Sequence, residues 1–275
     1  MPELPEVETV VRGLERAISG KTISEVRLNR ADLRTPLPKN LAELLEGRKI
    51  TGLSRRAKYI LIHLDSGQVW IIHLGMSGQI LVHQKSPNSE RKHDHVVTTF
   101  GDRSVMIFND ARRFGLMDIT SEKSMAEHAL FAHLGPEPLE KSFTGAALKA
   151  ALTNKKAPIK TAIMDQRVVV GVGNIYASES LYRSHIHPKT LAGKLTPAQC
   201  ELLVKNIKAV LKSAIQSGGS TLRDFVRSSG DAGYFQHEFQ VYERENEPCL
   251  TCKTAIERIV QQGRSTYFCP RCQKR

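Results

Sequence analysis

The residues best suited to do chemistry stand at the very start, Met1-Pro2-Glu3-Leu4-Pro5-Glu6. Removal of Met1 makes the Pro2 nitrogen a free secondary amine. An α-amino group titrates near ~8, against ~10.4 for a lysine side chain, so at neutral pH a useful fraction is an unprotonated nucleophile. Such an amine can attack a sugar carbon and form an iminium intermediate, and Glu3 beside it can handle protons. The same residues also read as a plain helix start, with proline in the first turn and acids at the positive end of the helix dipole. Glu6 and Glu8 fit that reading. Glu3 precedes the helix and fits it less well.

A second group is metal-binding by type and spacing. Cys249-x2-Cys252 and Cys269-x2-Cys272 are two knuckles sixteen residues apart, which reads as a tetrahedral four-cysteine zinc site. Between them Ile256–Phe268 reads strand, turn, strand, with Gln261-Gln262-Gly263-Arg264 as the turn and Arg264 near the tip. Four thiolates leave no open coordination position, so one structural Zn2+ is expected. A module this small cannot fold on apolar burial alone, and the metal supplies its folding energy.

Three further segments carry charge beside apolar or aromatic groups. Ser54-Arg55-Arg56-Ala57-Lys58-Tyr59 reads as a strand entry, His73-Leu74-Gly75-Met76-Ser77-Gly78 as a strand exit, and Asp110-Ala111-Arg112-Arg113-Phe114-Gly115 as a loop. Lys58, His73, His93 and Arg112 are candidate phosphate ligands. Met76 and Phe114 are candidate wedges of the kind that unstack bases and help expose one of them. Val168-Val169-Val170-Gly171-Val172-Gly173-Asn174 imitates a dinucleotide-binding loop, but Tyr176 stands where the fingerprint needs glycine or alanine, so no nucleotide cofactor is expected. A tight turn between helices Ile159–Gln166 and Ile175–Ser184 is the better reading. Asn174 then caps the second helix, and its backbone amides suit a phosphate. Lys155, Lys156 and Lys160 lie just upstream.

The chain that must position these groups has 275 residues and a formal charge of +12, from 40 basic and 28 acidic residues. The length suggests two domains, and the charge favours a polyanionic partner. No apolar run of about 18 residues is present, so no membrane span or membrane partner is expected. The acidic start lacks a signal-peptide core, which predicts a cytoplasmic protein, nucleoid-associated if the polyanionic partner is DNA. Leu4, Val7, Val10, Val11, Leu14 and Ile18 mark a helix over residues 4–18. From about 22 to 120 short β-rich runs separated by turns predict an antiparallel sandwich or barrel: Ile23–Leu28, Tyr59–Leu64, Gln68–Leu74, Gln79–His83, His95–Phe100 and Ser104–Phe108. Helical periodicity follows from 144 to 229, clearest in Thr196–Ser217, where Cys200 reads as a core or half-buried thiol rather than a reactive one.

These motifs, in this order, resemble the bacterial formamidopyrimidine-DNA glycosylases. The carriers are Pro2–Thr9, Arg55–Lys58, His73–Gly78, Lys92-His93-Asp94-His95, Arg112–Gly115, Gly171–Glu179 and the four-cysteine ribbon, and the likeness spans essentially the whole chain. It implies an α+β protein: an N-terminal β-sandwich flanked by helices (1–134), a linker (135–143), a helix–two-turn–helix bundle with a lesion-capping loop (144–240) and a zinc finger (241–275). It implies a monomer that binds damaged double-stranded DNA in a cleft between the domains and excises oxidised purines. By resemblance Pro2 attacks C1′ and Glu3 protonates the opening sugar. Lys58 acts in β-elimination and Arg264 in δ-elimination. His73, His93, Arg112, Lys155, Lys160 and Asn174 hold the backbone, and Met76, Arg112 and Phe114 fill the gap left by the extruded nucleotide. Ser217–Phe239 is the expected mobile loop that closes on the base. Two departures bear on local structure: Glu243 follows Val241-Tyr242 where the family has glycine, and the helix before the turn begins Ala157-Pro158. An endonuclease VIII-type pyrimidine glycosylase shares the proline chemistry. A non-enzymatic zinc-ribbon DNA-binding protein would share the charge and the finger but leave Pro2-Glu3 without a role.

Overall fold

The computed structural model describes residues 2–87, 89, 91–220 and 235–275. They form two compact units. Residues 2–132 with 218–220 make up the first, and residues 133–217 with 235–275 the second. No helix among the described residues is long and apolar enough to cross a membrane.

In the first unit, helix α1 (Leu4–Ile18) precedes eight strands and a short helix α2 (Leu41–Leu45). The strands are β1 (Ile23–Leu28), β2 (Ile50–Arg56), β3 (Tyr59–Leu64), β4 (Gln68–His73), β5 (Gln79–His83), β6 (Asp94–Phe100), β7 (Val105–Asn109) and β8 (Leu116–Ser121). They make two four-stranded antiparallel sheets, β1-β6-β7-β5 and β2-β3-β4-β8. Each sheet turns one set of alternating side chains to a shared core, and Val97, Val105 and Ile107 of the first sheet form a separate buried cluster. Val26, Val96, Met106 and Phe108 of the first sheet and Ile60, Ile62, Trp70 and Ile72 of the second share one core, to which α1 adds Val7, Val11, Leu14 and Ile18. This is the expected sandwich. At ~25 cal/mol per Å² of apolar area, each fully buried large aliphatic side chain contributes about 1.5–3 kcal/mol, so α1 is held to the sheets by packing rather than propensity. Strands β2 and β8 extend the periodicity reading. Arg55–Lys58, expected to open a strand, instead closes one, because Ala57 and Lys58 form the two-residue connection between β2 and β3.

The second unit contains α3 (Gly145–Leu152), α4 (Ile159–Met164), α5 (Asn174–Arg183), α6 (Pro197–Gln216) and the hairpin β9 (Glu257–Gln261)–β10 (Arg264–Phe268). The Thr196 hydroxyl accepts from Gln199 N at 3.2 Å while Gln199 Oε1 accepts from Thr196 N at 2.9 Å, a reciprocal cap that fixes the start of α6. Cys200 is fully buried in α6 and burial pushes its thiol up, as a core cysteine requires. The hairpin turn is Gln262-Gly263, both at positive φ (48° and 72°), the geometry that matches strand twist. Arg264 is the first residue of β10.

Candidate active site

Pro2 and Glu3 are buried at the head of α1. The carboxylates around them have distinct partners. Glu6, only 1 % exposed, accepts from Glu3 N through Oε2 at 2.9 Å and from both N and Oγ of Ser220 through Oε1 at 2.9 Å. Glu8 faces Arg12 at 2.9 Å and Arg55 at 3.0 Å. Arg55 also donates to Ala57 O at 2.9 Å. The Glu8–Arg55–Ala57 chain therefore ties α1 to the turn that bears Lys58. Ala57 sits at φ 54°, a conformation that costs a non-glycine residue about 1–2 kcal/mol, and Lys58 beside it is 7 % exposed. Dipole compensation alone does not explain the acidic start.

The second cluster lies where β4 and β7 end. His73 Nδ1 accepts from Gly75 N at 3.0 Å, so its proton is on Nε2. Burial, aided by the charges of Lys58 and Arg34, pushes His73 down to about 4. It can serve a phosphate as a neutral donor, not as a cation. Arg112 and Phe114 are exposed, Phe114 by 43 %, and the Arg112 guanidinium lies 4.8 Å from the Phe114 ring centre. Arg113 between them adopts φ 57°. Met76 and His93 are half-buried. The chain at Gly75 (φ 63°) presses on the Phe114 backbone so closely that a Cβ there would overlap it.

In the second unit the turn residues are wired to the finger. Asn174 is the first residue of α5, and Gly173 occupies the cap position without a side-chain bond, so the expected Asn174 cap does not form. Its side chain turns to β10 instead, where Nδ2 donates to Ser265 O at 2.9 Å. Lys160 is 2 % exposed and its Nζ donates to Asn174 Oδ1 (2.5 Å), Ser265 O (3.1 Å) and Thr266 Oγ1 (2.7 Å). All three partners are acceptors suited to an ammonium donor. Lys160 is a strut joining α4, α5 and β10. Lys155 is half-buried between α3 and α4, and Arg264 is exposed.

Farther along α5, fully buried Glu179 takes the amides of Gln240, Val241 and Tyr242 at 2.9–3.1 Å. Burial raises its carboxyl, and these amides oppose that rise. Tyr182 reaches Cys249 Sγ at 3.1 Å and Thr251 Oγ1 at 2.9 Å. Helix α5 is thus the spine of the finger. The sulfurs of Cys249, Cys252, Cys269 and Cys272 lie within 4.8 Å of one another, with Cys249–Cys272 at 3.9 Å and Cys252–Cys269 at 3.4 Å. Zn–S bonds of about 2.3 Å need tetrahedral edges close to these values. The set fits a structural zinc. At Glu243 the chain takes φ 58°, so the glycine-type turn is kept with a glutamate in it.

Sequence reasoning missed Ser220 and Asp110. Glu6 and Ser220 are 214 positions apart, and no spacing rule links them. Asp110 was visible only as one acid in a basic loop. Of the expected loop Ser217–Phe239, residues 221–234 lie outside the described residues.

A β-sandwich headed by a buried Pro-Glu pair, a helix–turn–helix spine and a four-cysteine ribbon define a class of DNA glycosylases built in three segments. Their family models match in order: the formamidopyrimidine-DNA glycosylase N-terminal domain over residues 1–117, its H2TH domain over 134–226, and the zinc finger found in FPG and IleRS over 246–275. The chain belongs to the formamidopyrimidine-DNA glycosylase family. Curated relatives of that name from Dinoroseobacter shibae and Novosphingobium aromaticivorans are 50 % and 49 % identical over the full length of both chains. The Lactococcus lactis Fpg bound to abasic-site DNA superposes with a TM-score of 0.92 at 34 % identity, covering 99 % of this chain and 100 % of that one. The Thermus thermophilus MutM (Fpg) protein gives 0.89 at 36 %, covering 99 % and 98 %.

Proposed function

We propose that this protein is a bifunctional DNA repair enzyme that removes oxidised purines from duplex DNA with its N-terminal proline and then cleaves the strand. Solved relatives include a MutM complex with DNA containing carbocyclic 8-oxo-G and a Lactococcus lactis Fpg variant with Fapy-dG DNA, which are lesions of that class. The observation that carries the reading is the setting of Pro2-Glu3, which is buried at the head of α1 with the adjoining amide held by Glu6. The Glu6 bond is the capping box of the helix start, but a plain helix start does not need Pro2 and Glu3 to be buried.

Once Met1 is removed, the Pro2 nitrogen attacks C1′ of the damaged nucleotide. The C1′–base bond breaks, the base leaves with its electron pair, and the ring opens to an iminium as Glu3 protonates the sugar oxygen. Loss of a C2′ proton then expels the 3′ phosphate, with Lys58 on the backbone. A second elimination expels the 5′ phosphate, with Arg264 beside it. Met76, Arg112 and Phe114 occupy the place of the extruded nucleotide. His73, His93, Lys155 and Asn174 contact the flanking backbone, and Lys160 acts on Asn174 from behind. A structural zinc, when bound, folds the finger that presents Arg264. We assign catalysis to residues 1–134, DNA backbone grip to 144–240 and phosphate contact to the finger at 241–275, in a monomer working in the cytoplasm at the nucleoid.

The Arg112-Arg113-Phe114 loop favours a purine-lesion enzyme over an endonuclease VIII-type enzyme. Excision from duplexes with 8-oxoguanine opposite cytosine, compared with thymine glycol, tests this. Faster release of 8-oxoguanine is expected, and faster release of thymine glycol would overturn the assignment.

A further inference from the structure

Asp110 belongs to none of the roles above, yet it is the most connected polar residue of the second cluster. It is fully buried and follows the last residue of β7. Its Oδ1 accepts from Ser77 Oγ at 2.6 Å and Arg112 N at 3.2 Å, and its Oδ2 accepts from Gly115 N at 2.7 Å. Arg112 N also reaches Ser77 Oγ at 3.2 Å. The Asp110 amide donates to His93 O at 3.1 Å. Its carbonyl accepts from Arg113 N at 3.3 Å and from His95 Nε2 at 2.7 Å.

One carboxylate therefore spans two loops, 73–78 and 110–115. The first carries Met76 and the second carries Arg112 and Phe114. They also touch directly where Gly75 meets the Phe114 backbone. A wedge can unstack a duplex only if it does not yield first. Loops ordered during insertion would lose backbone entropy at that moment. Loops already locked before binding avoid the loss.

We propose that Asp110 is a positioning residue that clasps these loops into one rigid wedge, so that Met76, Arg112 and Phe114 enter the duplex as a unit. The inference rests on the wedge role given to those three side chains above. The chemistry requires a carboxylate. Three donors converge on two oxygens, and an asparagine would turn an NH2 group toward a donor on one side. Removing one acceptor from a buried cluster leaves an unsatisfied donor.

The test is a double-mutant cycle with full-length, Met-processed, zinc-loaded protein. The variants are Asp110→Asn, the pair Met76→Ala/Phe114→Ala, and the triple combination. Single-turnover excision of 8-oxoguanine from duplex DNA is compared with borohydride trapping on an abasic site in a single-stranded oligonucleotide, which has no stack to open. Asp110→Asn should slow duplex excision at least tenfold and change single-strand trapping less than twofold. In the Met76/Phe114 background it should add less than twofold. Equal losses on both substrates would mean a general structural role and overturn the clasp. A full tenfold effect persisting in that background would also overturn it while leaving the wedge intact. Wild-type duplex excision by Met76→Ala/Phe114→Ala would remove the wedge reading itself.

Discussion

Glu6 and Ser220 are joined by two hydrogen bonds, each 2.9 Å long, to a single carboxylate oxygen, while the other oxygen of Glu6 holds the amide of Glu3. The residue that orients the acidic neighbour of the proposed nucleophile thus also anchors the chain where the proposed capping loop begins. Glu6→Gln keeps the size and removes one of the two acceptors. An unsatisfied buried donor costs about 1–3 kcal/mol, so single-turnover excision should fall roughly 10- to 100-fold. Far-UV circular dichroism and zinc content should be unchanged. Excision within twofold of wild type would mean that the contact is incidental.

His73 provides a pH signature. Its folded value of about 4 lies below the ordinary ~6.5, so between these values the unfolded chain binds a proton that the folded chain does not. Its contribution to stability is complete above about pH 6.5 and is lost as pH falls toward 4. His73→Gln should flatten the fall of the melting temperature across that window. Because His73 is a neutral donor, the same variant should weaken DNA binding without altering its salt dependence. Arg264→Ala, which removes an exposed cation, should reduce the slope of log K against log salt by about 1. Binding titrations at several salt concentrations separate the two cases.

Tyr182 puts its hydroxyl 3.1 Å from the Cys249 sulfur, linking α5 to the metal ligands. Outer partners of this kind commonly change metal affinity 10- to 100-fold. Tyr182→Phe should speed zinc release to a chromogenic chelator by at least tenfold. Cys269→Ser should lose the metal and DNA binding together while the sandwich still unfolds cooperatively. Lesion binding unchanged in zinc-free protein would separate the finger from recognition.

Glu243 occupies a left-handed conformation at φ 58°. A β-carbon there costs about 1–2 kcal/mol, partly offset by the greater unfolded-state freedom of glycine, about 0.5–1 kcal/mol. Glu243→Gly should therefore stabilise the second unit by roughly 0.5–1 kcal/mol. Thermal unfolding of the zinc-loaded protein measures this, and a lower midpoint would show that the Glu243 side chain contributes contacts of its own.

What could be read from the sequence was what short-range rules control. The bounds of α1 follow from its apolar spacing, and the finger follows from two CxxC pairs. Errors arose where tertiary partners decide. Arg55, Arg56 and Lys58 look like a charged strand entry, but Arg55 is drawn back to Glu8 and the chain reverses at Ala57-Lys58. Asn174 has the composition of a cap, but Ser265 on a distant hairpin claims its amide. Lys160 looks like a surface cation, yet it is enclosed by three acceptors, two of them more than 100 positions away. The Pro2-Glu3 pair was legible by type and its Glu6 cap lies within short-range spacing, whereas its burial and the Glu6–Ser220 contact depend on distant chain.

The central claim is that the Pro2 nitrogen forms the covalent bond to C1′. Borohydride reduction during reaction with a duplex containing one 8-oxoguanine, followed by proteolysis and mass spectrometry, tests it most directly. The account predicts a stable protein–DNA adduct on the N-terminal proline of Met-processed protein, lost when Met1 is retained. An adduct on Lys58 alone, or active processed protein that yields no adduct, would contradict it.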